Sequence, residues 1–154
     1  MEIGATVTSR IAKRVAISMA ALAAATVAHA GDDTPDGFRS PSDNIHCMFE
    51  PAYAGPPAIA ASVRCDIRDI SDPPPRPRSC DGDWGRSFAV SDADAVGRLI
   101  CTGDALFSDR LPVLDYGSAW QHEGFTCLSE KDGVSCFNAR RHGFKLSRGS
   151  RTTF

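Results

Sequence analysis

The sequence has no apolar run long enough to cross a bilayer. Its longest, "VAISMAALAAATV" from Val15 to Val27, has thirteen residues, against the roughly 20 a spanning helix needs. No stable membrane span is therefore expected once the chain is processed. No Cys-x-x-Cys occurs, and the histidines beyond residue 30 (His46, His122, His142) are not spaced as zinc ligands, so neither a metal nor another cofactor is expected. The G-x-S-x-G elbow of many serine hydrolases is missing as well. Basic residues are not in excess: 17 Lys+Arg stand against 19 Asp+Glu, a formal charge of −2. Nucleic acid is not expected as a partner. Beyond residue 30 no stretch keeps a long helical period, and only Ala93–Leu99 offers a turn or two.

What the chain does have begins with an export signal. Arg10, Lys13 and Arg14 precede the apolar run, and "AHA" follows it, with Ala28 and Ala30 at the small-residue positions of a signal-peptidase site. Residues 1–30 read as a signal peptide, with cleavage after Ala30. There is no twin arginine and no cysteine at the cleavage site, so export of an unfolded chain without a lipid anchor is expected. Residues 31–37 read as a flexible polar leader. The remainder, 38–154, is the length of a single domain. Processing removes three basic residues and Glu2, which leaves a formal charge of −4. A periplasmic or secreted location follows.

Six cysteines lie in this part: Cys47, Cys65, Cys80, Cys101, Cys127 and Cys136. An even number in an exported chain reads as a disulfide framework, with 15 possible pairings. Pairing in chain order (47–65, 80–101, 127–136) is preferred. The last pair has the strongest local reason. In "CLSEKDGVSC" the Asp132-Gly133 turn would return the chain and set the two cysteines side by side.

Period-two alternation predicts strands. Ile45, Cys47 and Phe49 share one face of "IHCMFE"; Val63, Cys65 and Ile67 share one face of "SVRCDI". Further strands are expected at Phe88–Val90, Arg98–Thr102, in "FTCLS", "VSCFN" and "GFKLSR", with a short extended run in "LPVLDYG". The fold class expected is mainly β: a small disulfide-stabilised domain of seven or eight short, mostly antiparallel strands. "FRSPSDNIHCMFE" and "FTCLSEKDGVSCFNA" share a hairpin plan, a faint internal echo. The three consecutive prolines of "PPPRPR" fit a stiff surface connection.

Chemistry is harder to find. Asp92 and Asp94 open like a calcium loop that is never completed. Asp81/Asp83 and Asp92/Asp94 are candidate carboxylate pairs, but both sit in turn-like sequence. Trp84 and Trp120 are expected to pack rather than to bind sugar. The better candidates for anion or partner binding are Arg140, Arg141, His142 and Lys145, against the ordinary alternative of a solvated turn. Alternation predicts Arg148 turned inward, as a partly buried arginine paired with a carboxylate.

Several elements resemble a family of small exported bacterial cysteine-containing proteins of unknown function. They are an F-x-S-P-S-x-N-I-x-C opening (Phe38–Cys47), an aspartate after the second cysteine (Asp66), Tyr116-Gly117, a cysteine hairpin (Gly124–Asn138) and an H-G-F-x-L-S-R ending (His142–Arg148). Asp43 stands where the pattern has glycine, and the hairpin carries one extra residue. The resemblance implies an envelope or secreted protein and brings no activity, ligand or catalytic residue. The expectation is an exported, non-catalytic domain with a binding or structural role toward an envelope component, an anionic ligand or a protein. The alternatives are a small secreted hydrolase, built on His46, His122 or His142, and an inhibitor of a secreted enzyme, presenting Pro73–Pro77 or Arg140–His142.

Overall fold

The structure, a computed structural model, describes Met1 and residues 36–154. The signal-peptide reading and most of the leader lie outside the described residues. Two five-stranded antiparallel sheets face each other. The first runs β1 (Gly37–Arg39), β2 (Ile45–Glu50), β3 (Ser62–Ile67), β4 (Asp83–Ser91) and β5 (Arg98–Thr102). The second runs β6 (Ala119–His122), β7 (Phe125–Glu130), β8 (Gly133–Phe137), β9 (Gly143–Ser147) and β10 (Ser150–Thr153). In both, strands follow one another in chain order, so each sheet is a meander.

The fold is mainly β and disulfide-stabilised, as the alternation implied, but with ten strands rather than seven or eight. β6 and β10 were not expected. Their sequences, "AWQH" and "SRTT", lie at sheet edges where only one neighbour supplies hydrogen bonds. They carry no run of alternating apolar residues to announce them. β4 is also longer than Phe88–Val90, because a register shift between Asp83 and Ser87 lets it continue past an irregularity. "LPVLDYG" contributes only an isolated bridge, Arg39 to Val113.

The two faces the alternation grouped, Ile45/Cys47/Phe49 and Val63/Cys65/Ile67, point inward. Cys47, Val63, Cys65, Ile67, Phe88 and Val90 from the first sheet meet Trp120, Phe125, Cys127, Val134, Phe144 and Leu146 from the second. Ring pairs bridge the sheets at Phe38–Trp120, Phe49–Phe125 and Phe88–Phe144, with centroids 5.6, 6.0 and 6.0 Å apart. Two disulfides sit inside this core. Cys47–Cys65 and Cys127–Cys136 each join residues directly opposite in the ladder, across the second and third strands of their own sheets. Cys65 Sγ lies 3.5 Å from Cys136 Sγ, so the two bonds stack across the sandwich. Cys80–Cys101 ties the proline-rich connection to β5. Each closed loop contributes about 3 kcal/mol in the chain-entropy model.

One face expected to be solvated is not. His46, Asp66 and Ser87, on the outer side of the first sheet, are buried. The segment from Gly103 to Leu111 lies across them and is tied down by side chains. Asp66 Oδ2 accepts the Leu106 amide at 2.9 Å, His46 Nδ1 accepts the Ser108 amide at 3.2 Å, and Arg39 Nε donates to the Leu111 carbonyl at 2.9 Å. Arg64 grips Asp66 through two bonds of 2.9 and 2.8 Å and reaches the Asp104 carbonyl. A buried carboxylate is tolerated because every donor around it is aimed at it.

Candidate functional site

Because both sheets are meanders, their turns gather at two ends. At one end lie the β1–β2 turn, the β7–β8 hairpin tip and the β9–β10 turn. There the sheets part around a cleft of about 430 Å³. Its walls come from Ser40–Ile45, Glu130–Val134 and Ser147–Gly149, and Tyr116 completes it. The segments are held in place by local chemistry. Ser40 Oγ accepts the Ile45 amide at 3.0 Å and lies 3.1 Å from Ser42 Oγ. Asn44, buried, clasps the backbone of Asp69 through both its amide atoms, at 2.8 and 3.2 Å. Asp43 adopts a φ of 56°, the left-handed conformation that glycine takes freely. Its carboxylate pairs with Arg39 at 3.1 Å and Arg68 at 3.3 Å, which holds an aspartate in this conformation.

On the opposite wall, Gly133 follows the two-residue connection Lys131–Asp132. A Cβ there would lie 2.1 Å from the Leu146 carbonyl oxygen, so the hairpin tip can lie down on β9 only with glycine. Lys145 Nζ reaches Glu130 at 3.1 Å and Asp132 at 2.9 Å. The hydrogen bond from Lys145 holds the Asp132 carboxyl below its usual range, and the bonds to Asp132 and Glu130 raise the Lys145 ammonium above its own. Lys131 is exposed and has no carboxylate partner among the described residues. Arg148 does pair with a carboxylate, Asp69, at 3.3 Å, but its side chain is 65% exposed. The expectation of a partly buried arginine is corrected: β9 ends at Ser147, so Arg148 sits in a turn where strand alternation no longer decides its direction.

The four residues singled out as an anion or partner site do not gather in one place. Arg140 donates to the Asp92 and Asp94 carbonyls at 2.9 and 3.3 Å. The Arg141 guanidinium lies 4.4 Å above the Phe137 ring. The backbone amide of His142 donates to Asn138 Oδ1 at 3.2 Å. These three lie in the β8–β9 loop at the far end from the cleft, and Lys145 lies on β9 in the ion pairs above.

The other early candidates are also accounted for. Trp120 is in the core, whereas Trp84 is only partly buried and its shielded indole N–H has no partner among the described residues. Asp94 takes the Ser91 amide at 2.8 Å and Arg98 Nε at 3.0 Å. Burial pushes its carboxyl up, but these bonds outweigh burial and hold it below the usual range. Among the described residues no histidine ring is bonded to a serine hydroxyl. His46 meets the Ser108 amide and Asp43, and His122 lies 3.8 Å from Asp36 with its Nδ1 unpartnered. The sulfurs of Cys47, Cys65 and Cys136 fall within 4.8 Å of one another, but each belongs to a disulfide and so offers no thiolate. Below the Gly103–Leu111 segment a second cavity of about 200 Å³ is bordered by Asp66, Asp83, Arg86 and Phe107. Among the described residues no helix is long and apolar enough to cross a membrane.

The cleft was missed in the sequence because its residues come from four distant segments, none of which shows a catalytic or ligating pattern alone. A signal was present: the opening, Tyr116-Gly117, the cysteine hairpin and the L-S-R ending are the stretches that carried the family resemblance. No curated protein and no solved structure matches the chain. A family model matches residues 15–154, and the chain thus belongs to the family of unknown function DUF6636.

Proposed function

We propose that this is an exported binding domain, acting in the cell envelope or outside it, and that the cleft between the turns is its binding site. The single observation that carries the reading is the convergence of those four segments on one concave site. About 430 Å³ lies within the range of small-molecule sites, and hydroxyls, charges of both signs and an exposed tyrosine line it. The signal-like first thirty residues and the disulfide framework support export. The exposed groups at the cleft keep hydrogen-bonding capacity, whereas Arg140 and Lys145 of the earlier basic group already donate within the chain.

The test is co-sedimentation of the processed protein with isolated envelope material, comparing wild type with Tyr116→Ala/Arg148→Ala. Both side chains are exposed, so the double variant is expected to fold normally and to lose most of its binding. Equal binding by the two proteins, or none by wild type, would sink the proposal. Intact mass of the exported protein checks the export half. A start at Gly31 with three disulfides is expected, and a retained leader or free thiols would contradict it.

A further inference from the structure

The chemistry of the cleft narrows what it can hold. Its formal charges cancel. Glu130 and Asp132 share the single ammonium of Lys145, which leaves one negative charge; Lys131 supplies one positive charge; Arg148 is matched by Asp69. A site with no net charge gives no overall preference for a ligand of either sign. The cleft still offers donors and acceptors in close alternation: the Lys131 ammonium and Arg148 guanidinium donate, the Glu130 and Asp132 carboxylates accept, the Ser42 hydroxyl can do both, and the Ser147 hydroxyl, which donates to the Ser150 carbonyl at 3.3 Å, can accept. Tyr116, 43% exposed, adds an aromatic surface at the edge of the same cleft.

A peptide does not suit this arrangement. Binding by strand addition would need an unpaired strand edge, and the cleft is walled by turns and by strands that already have a neighbour on both sides. An uncharged polyhydroxylated ring does suit it. Each sugar hydroxyl is both donor and acceptor, and the C–H face of a pyranose is apolar enough to lie on a tyrosine. The volume is at the small end of the range of about 300–1,000 Å³ for ligand sites, which limits the occupant to a mono- or disaccharide unit. We infer that the ligand is a neutral saccharide, stacked on Tyr116 and hydrogen-bonded between the hairpin tip and the β1–β2 turn. This inference rests on the reading of the cleft as the binding site.

The experiment is a titration of the ¹⁵N-labelled processed protein, followed by amide NMR. Short neutral oligosaccharides, a uronic-acid oligosaccharide and an unrelated peptide are added in separate series. A neutral sugar is expected to shift Ser42, Gly133 and Ser147, with binding about tenfold weaker in Tyr116→Ala and within about twofold of wild type in Tyr116→Phe. Shifts at those amides with only the uronate overturn the neutrality of the ligand, and with only the peptide overturn the saccharide class; either leaves the cleft as the site. Shifts confined to other surfaces, or none in any series, overturn both. Neutral-sugar shifts at the cleft that survive unchanged in Tyr116→Ala overturn the stacking.

Discussion

The two ends of the sandwich are built from the same parts and behave differently. At the far end, the β4–β5 and β8–β9 connections are stitched together. Asn138 donates to the Ser91 and Asp94 carbonyls at 3.0 and 2.9 Å and accepts the Arg140 and His142 amides. Gly97 donates to the Gly143 carbonyl at 3.0 Å, and Gly143 exchanges hydrogen bonds with Phe154. At the cleft end the turns are also joined across the sheets, by the Ser71 amide donating to the Arg148 carbonyl at 2.8 Å and by Arg148 pairing with Asp69 at 3.3 Å, but space remains between the β1–β2 turn and the hairpin tip. The far end closes through a larger set of such bonds, and at the cleft end side chains stay exposed around the gap. On the proposed reading, stability is expected to concentrate at the far end and binding at the cleft end.

The sharpest test of that division is Asn138→Ala. It strips partly buried amides and carbonyls of four hydrogen bonds, and a loss of about 3 kcal/mol is expected by urea unfolding, with binding unchanged in the protein that stays folded. Gly97→Ala comes next. Its Cβ would lie 2.3 Å from the Gly143 carbonyl oxygen, so the two connections must part, at about 1–3 kcal/mol. A value near zero for either variant would show that the far end is not the clamp. At the cleft end, Ser42→Ala and Tyr116→Ala are expected within about 0.5 kcal/mol of wild type, while the second weakens ligand binding. A cleft variant that unfolds the protein would erase the contrast.

The smallest effects are in pH. Asp94, at the far end, titrates below its ordinary value of 3.8 in the folded chain. Its contribution is complete above that value and is lost as pH falls through the lower folded value, so Asp94→Asn should flatten the acid side of the stability curve. Lys145, at the cleft end, titrates above its ordinary 10.5. Its contribution is present below 10.5 and is lost as pH rises past its raised value, so Lys145→Gln should change the alkaline side and, by releasing the Asp132 carboxyl, the acid side as well. Denaturation midpoints measured across pH separate the two. An alkaline-side change in Asp94→Asn, or none in Lys145→Gln, would contradict the assignment.

How much of this was legible depends on how local each signal is. Cys127 and Cys136 announce their bond because the turn between them is in the same ten residues, and "SVRCDI" announces its inward face because alternation is a property of six consecutive positions. β6 escaped because "AWQH" offers a single buried apolar residue, Trp120. The basic residues of 140–148 looked like one group in the sequence. The strand of β9 separates them, carrying Arg148 to one end and leaving Arg140, Arg141 and His142 at the other.

The sequence by itself determined the β class, the disulfide framework and the residues that face the core, since these follow from spacing along the chain. Only the tertiary structure decided that two meanders would face each other with stacked disulfides and that His46 and Asp66 would lie under a strap. It alone brought Ser42, Tyr116, Lys131 and Arg148 to one cleft. Those are relations between residues far apart in the chain, and pairing across sheets, unlike alternation within a strand, leaves no period to read.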